Sequence, residues 1–194
     1  MNEVVFNEDW YSALQCSNLT TLFDKTRPLV GDIIEIGCWE GKSTSHLANA
    51  CAPETLICND TWQGNVAESA ITGITHVTEL FLKERDVYTQ FIKNMNVLTK
   101  QNYSIVKKDC IAWLRERKDP IKFIHIDASH EYESVHETIR LALPFMVPGG
   151  CMCGDDYINA GKDQLILHGG VERAVAELLP GHKNEGNLWY WFKQ

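Results

Sequence analysis

Short apolar runs alternate with amphipathic stretches along most of this chain, the pattern of successive βαβ units and a parallel sheet. Asp32 to Ile36 reads as a first strand, and Ser43 to Cys51 as the helix after it. Thr55 to Asn59 is a second strand. Ser104 to Lys107 is a third, followed by an amphipathic helix from Cys110 to Arg117. Lys122 to Ile126 and a helix from about Glu133 to Phe145 repeat the unit. Pro148-Gly149-Gly150 is expected to break the chain before a fifth strand, Cys151 to Gly154. Val171 to Leu179 reads as a helix and Leu188 to Phe192 as a sixth and last strand, with Leu179 to Asn187 as loop. The expected fold is therefore α/β, a single doubly wound, mostly parallel sheet with helices on both faces.

Two segments break the alternation. Met1 to Pro28 carries an apolar stripe (Trp10, Leu14, Leu19, Leu22, Phe23) and reads as one or two helices. Thr61 to Asn96 is too long for a simple connection and holds Gly64, Gly73 and His76. Connections of that length are commonly functional or disordered. Its first half is expected to be loop near the active face, and Glu79 to Met95 helical.

Composition narrows the partners. The 194 residues suit one domain spanning 1–194, and no repeat, low-complexity tract or linker divides them. A net charge of −8 argues against nucleic-acid binding, which needs a surplus of Lys and Arg facing phosphates. No apolar run approaches the ~20 residues that span a bilayer, and the acidic N-terminus lacks the basic and apolar regions of a signal peptide. A cytoplasmic protein without membrane contact is the expectation. Seven cysteines form no CxxC pair and no Cys/His ligand spacing, which points to free thiols in a reducing compartment.

In an open α/β sheet, ligands sit beyond the carboxyl ends of the strands, and the chemistry-bearing residues fall there. The first strand runs into Glu35-Ile-Gly37-Cys38-Trp39-Glu-Gly41-Lys-Ser43. Two glycines four apart let the backbone turn sharply before a helix N-terminus, where amides can face a ligand. Three readings are open for this loop besides a plain tight turn. A phosphate-binding P-loop would need one more residue between the glycines. A dinucleotide fingerprint would need glycine where Trp39 stands. The third is a nucleoside-binding loop of the E-x-G-x-x-x-G type. The second strand ends in Asp60-Thr61-Trp62, about 20 residues on, where an acid can accept the hydroxyls of a ribose or merely cap a turn. The third ends in Asp109-Cys110, where Asp109 can N-cap the next helix.

The fourth and fifth strands end in Asp127-Ala-Ser-His130-Glu-Tyr132 and Gly154-Asp155-Asp156-Tyr157. Three carboxylates at neighbouring strand ends are costly to bury together, so a cation is a natural companion. Oxygen ligands favour Mg²⁺, with Ca²⁺ and Mn²⁺ as alternatives. The competing reading makes Asp155 and Asp156 solvated turn residues.

With these motifs in place, the segment from about Gly31 to Tyr157 resembles the class I S-adenosylmethionine-dependent methyltransferases of the small metal-dependent type. It is closest to the macrolide and aminocoumarin sugar O-methyltransferases. The pairing of D-A-S-H-x-Y with P-G-G-x-x-x-G-D-D-Y carries the likeness. It implies a Rossmann-like fold and a methyl transfer from S-adenosylmethionine to a hydroxyl of a small molecule. It also implies that Mg²⁺ or another divalent cation is held by Asp127, Asp155 and Asp156. Cofactor contacts are expected from Glu35, Gly37, Cys38, Trp39, Gly41, Ser43, Asp60, Thr61, Trp62, Asp109, Cys110 and Asp127. His130 is expected to serve as a neutral general base beside Asp127. Two positions depart from the relatives: Ser129 stands where the sugar enzymes carry a second acid, and His130 where catechol-type enzymes carry Lys. Such enzymes also have seven strands, one more than the pattern yields. A nucleotide-binding or scaffold protein of the same fold, without catalysis, and a P-loop NTPase are the rival readings.

Overall fold

The structure is a computed structural model that describes residues 3–8, 10–157 and 169–194. Its elements follow in the order α1 (Ala13–Asp24), β1 (Asp32–Ile36), α2 (Lys42–Cys51), β2 (Leu56–Asn59), α3 (Val66–Thr72), α4 (Val77–Glu84), α5 (Val87–Leu98) and β3 (Tyr103–Val106). Next come α6 (Cys110–Glu116), β4 (Ile121–Ile126), α7 (Tyr132–Ala142), β5 (Met146–Gly154), α8 (Gly169–Leu178), β6 (Lys183–Glu185) and β7 (Leu188–Phe192).

The strands form one sheet in the order β3-β2-β1-β4-β5-β7-β6. The first five are parallel, and β7 runs antiparallel to both β5 and β6. The strand order reverses between β1 and β4, which opens a crevice at their carboxyl ends. Alternation along the strands divides the core. Ile33, Phe123, Cys151 and Cys153 face α1, α2 and α5, with Leu19, Phe23, Leu47 and Phe91 packed against them. Ile34, Ile36, Ile124 and Met152 face α6, α7 and α8, with Leu114, Ile139 and Val175. Cys16, Cys38, Cys51, Cys58, Cys151 and Cys153 are buried free thiols. No helix among the described residues is long and apolar enough to cross a membrane.

Three expectations need correction. The stretch expected as loop before the last strand contains β6, a three-residue edge strand paired with β7. All three of its residues are exposed, so no apolar alternation marked it. Pro148-Gly149-Gly150 does not precede the fifth strand but lies within it; the register against β4 shifts there and Gly149 takes a φ of 78°. The shift absorbs the missing proline N–H, as bulges do. The 61–96 segment is helical in its first half as well, with α3 starting at Val66. At the N-terminus the described residues form one helix, α1, opened by a capping box between Ser12 and Gln15. Leu14 and Trp10 of the expected stripe are mostly exposed.

Candidate active site

A cavity of about 590 Å³ opens at the β1/β4 switch point. One wall is the loop between β1 and α2. Gly37 and Gly41 have φ of 86° and 88°, and α2 starts at Gly41 with no side chain capping its first turn. Its leading residues Lys42 and Ser43 line the cavity. The two glycines answer to packing as well. A Cβ on Gly37 would stand 1.8 Å from the Asp127 carbonyl oxygen, and one on Gly41 would stand 3.0 Å from Phe91. Glycine at 37 is thus demanded by the end of β4, and the space for a ligand is a separate matter.

Asp60 holds this loop in shape. Its Oδ2 accepts the backbone N–H of Cys38 (2.8 Å) and Trp39 (2.9 Å), and its Oδ1 accepts that of Trp62 (2.7 Å). Burial raises its pKa while these N–H groups oppose the rise. The carboxylate still lines the cavity, as do Cys38, Trp39, Thr61 and Cys110. Asp109 lines it too while its Oδ1 accepts the Ala112 N–H at 2.8 Å, so it caps α6 as well. Three of the expected cofactor residues sit behind the wall. Glu35 is wholly buried, Gly41 packs on Phe91 and Met95, and Trp62 packs on Tyr88 and Phe91 while donating its Nε1–H to the Trp39 carbonyl.

The opposite wall carries the acids. Asp127, His130 and Asp156 bring one donor atom each to within 4.8 Å of one another. Asp155 is held differently: Gln15 of α1 donates to both of its carboxylate oxygens, at 3.2 and 3.0 Å. Of the three expected aspartates, Asp127 and Asp156 come together with His130, and Asp155 lies alongside, bound by Gln15. No donor among the described residues hydrogen-bonds the Asp127 carboxylate. Burial, then the charges of Asp155 and Asp156, push its pKa up to about 8. An acid held at this cost beside a second carboxylate suits a divalent cation.

His130 is held between two carboxylates. Its Nε2 lies 2.8 Å from Asp156 Oδ2, and its Nδ1 lies 2.9 Å from Glu68 Oε1. Burial favours the neutral ring, but the Asp156 and Glu68 carboxylates outweigh it and lift the pKa well above 6.5. The two carboxylates thus favour the protonated ring over the neutral one that a general base needs.

Several participants carry no motif. Glu68, on α3, is 1% exposed, and His76 caps α4 beside it. Tyr11 reaches the cavity from ahead of α1, and its hydroxyl meets His125 at 3.0 Å. Glu8 accepts from the Trp39 indole and pairs with Arg85, which also reaches Glu40 (3.1 Å). The only sequence signal for any of these was the length of the 61–96 connection, which placed His76 near the active face.

The sequence profile of a methyltransferase-domain family matches residues 34–157, from the middle of β1 to just past the acidic pair. The chain belongs to that family. No curated protein matches this methyltransferase-domain chain closely enough to count as a relative. Among solved structures it is similar to the O-methyltransferase NovP, with a TM-score of 0.66 at 15% identity, covering 93% of this chain and 79% of that one. It is also similar to CalS11, a TDP-rhamnose 3'-O-methyltransferase, at 0.59 and 16%, covering 93% and 80%. An O-methyltransferase from Bacillus cereus in complex with SAH gives 0.58 and 17%, covering 98% and 84%. At these identities the likeness is one of fold, and the seven-stranded class I methyltransferase sheet is what the described residues share with them.

Proposed function

We propose that this methyltransferase transfers a methyl group from S-adenosylmethionine to a hydroxyl of a small molecule, with a divalent cation in attendance. One observation carries the reading. The family match ends on the same two walls that bound the cavity: the Gly37–Gly41 loop with Asp60 on one side, and Asp127, His130 and Asp156 on the other. The loop and Asp60 would seat the nucleoside, and Asp109 and Cys110 would flank its base. CalS11 is a TDP-rhamnose 3'-O-methyltransferase, which makes a sugar hydroxyl the first acceptor to try.

Asp127 and Asp156 would hold the cation, with Asp155 next to them. A divalent ion there would lower the pKa of a hydroxyl that it binds. The protein's own part is to exclude water, to hold the hydroxyl in line with the methyl group and to take its proton. His130 can take that proton only as the neutral ring, with its Nε2 proton first given up to solvent, and a cation held by Asp127 and Asp156 would favour that loss.

Calorimetry with S-adenosylmethionine and with ATP, each with and without Mg²⁺, tests this. Binding of S-adenosylmethionine alone supports the reading, and binding of ATP alone would make the chain a nucleotide-binding protein instead. Turnover that survives exhaustive chelation by EDTA would remove the cation from the proposal.

A further inference from the structure

We propose a second divalent-metal site, of the zinc class, formed by Glu68, His76 and His130 at the edge of the cavity. It lies beside the acidic group and shares with it only His130. The Glu68 carboxylate and the two rings bring one donor atom each to within 4.8 Å of one another. Two imidazoles and one carboxylate are a donor set for zinc, or for iron(II), and not for the hard cations suited to the aspartates.

The orphaned oxygen of Glu68 carries the argument. This side chain is 1% exposed, and its Oε2 is buried with no hydrogen-bond partner, although a buried carboxylate oxygen left so is costly. Its Oε1, in contrast, accepts the His130 backbone N–H at 2.8 Å and the Asn65 side-chain N–H at 3.1 Å. One oxygen is fixed and the other is left facing His76 Nε2, 3.4 Å away. Ligand bonds of about 2.0–2.1 Å around a tetrahedral ion put neighbouring donors roughly 3.3–3.5 Å apart, so this pair already stands at ligand spacing.

The atoms behind the donors complete the case. A metal-bound histidine commonly gives its other N–H to a carboxylate or a neighbouring oxygen, which fixes the tautomer. With His130 ligating through Nδ1, its Nε2–H points at Asp156 Oδ2, 2.8 Å away. With His76 ligating through Nε2, its Nδ1 would carry the proton and give it to Thr78 Oγ1, 2.8 Å away, in place of the Thr78 N–H that it accepts at 3.3 Å in the α4 cap. Three protein donors leave a fourth position, and both histidines line the cavity. An ion here would clip α3 and the start of α4 to the turn after β4. It would also occupy the His130 nitrogen nearest Glu68. Binding of this ion does not depend on methyl transfer.

The test is a titration of chelator-treated protein with Co²⁺, followed by its visible d–d absorption, in the wild type, His76→Asn, Glu68→Gln and Asp127→Asn. Asn at 76 keeps a side-chain acceptor for the α4 N-terminus, so that variant retains the helix cap. We expect the wild type and Asp127→Asn to give the same intense tetrahedral-type band, and His76→Asn and Glu68→Gln to bind at least about tenfold more weakly. Circular dichroism checks that each variant is folded. Absence of a band in the folded wild type overturns the proposal. So does a band lost in Asp127→Asn but kept in His76→Asn, which would place the ion among the aspartates.

Discussion

Glu35 and His125 face each other across the β1–β4 ladder, Oε1 to Nδ1 at 3.1 Å, with no solvent exposure of either side chain. Burial favours neutral His125, but Glu35 beneath it raises the pKa, and the ring's other nitrogen meets the Tyr11 hydroxyl. Removing one partner of a buried pair leaves the other charge uncompensated, at a cost of about 3–5 kcal/mol. His125→Leu should lose that much in urea unfolding. A loss below about 1 kcal/mol would show that the pair carries no charge.

The two walls of the cavity touch through Gly37. Any side chain there meets the Asp127 carbonyl at 1.8 Å, whereas Gly73, with a φ of 69°, has nothing within 4 Å of where its Cβ would stand. Gly73→Ala should therefore cost only the left-handed backbone penalty, about 1–2 kcal/mol. Gly37→Ala should cost at least about 3 kcal/mol, because backbone must move. Equal melting temperatures for the two variants would contradict the contact.

Asp60 braces the loop and faces the cavity, so its variants should separate the two roles. Asp60→Ala leaves three N–H groups without their acceptor, at about 1–3 kcal/mol each where they stay buried. Asp60→Asn keeps a carbonyl oxygen and should fold better, yet still weaken S-adenosylmethionine by roughly 10–100-fold for want of the charge. Calorimetry on both decides. Wild-type affinity in a folded Asp60→Asn would confine Asp60 to the loop.

How far the sequence could be read follows from which contacts are local. Strand-end residues such as Asp60, Asp109, Asp127 and Asp156 were legible because the alternation of elements puts every one of them at the same edge of the sheet. Gln15 on Asp155 and Glu68 on His130 join residues 140 and 62 positions apart, and no periodicity encodes such pairings. The same limit explains His130: its position near Asp127 was readable, but its pKa is raised by Asp156 and Glu68 together, and Glu68 carries no motif. Strand β6 escaped for a different reason, since Lys183–Glu185 is held by backbone pairing alone.

Asp127 links stability to pH. Its folded pKa, about 8, lies above the ordinary 3.8, so the folded protein binds the extra proton. The contribution is fully present below about pH 4 and is lost as pH rises toward 8. Metal-free protein should thus melt at progressively lower temperature across that window, and Asp127→Asn should flatten the slope. Mg²⁺ should restore more of the melting temperature at pH 8 than at pH 5, since it replaces the proton. Equal Mg²⁺ effects at both pH values would contradict cation binding at Asp127.

His130→Ala should lower the maximal rate by roughly 10²–10⁴-fold with little change in cofactor affinity. Glu68→Gln removes one of the two carboxylates that hold the imidazolium and should lower the pKa of His130. The acid limb of the rate profile should then move to lower pH. A profile unchanged in Glu68→Gln, or near-normal turnover in His130→Ala, would exclude His130 as proton acceptor.

The six buried thiols turn the molecule into its own clock. Burial raises the pKa of Cys16 and of Cys51 to about 11, so at neutral pH almost none of either is thiolate, the form that reacts. Both lie in the core against α1, α2 and α5. A thiol reagent can be consumed there only when that layer lifts from the sheet. The speed of labelling thus times how often the helices open, and a cofactor that locks the β1–α2 loop would be seen as a slower clock.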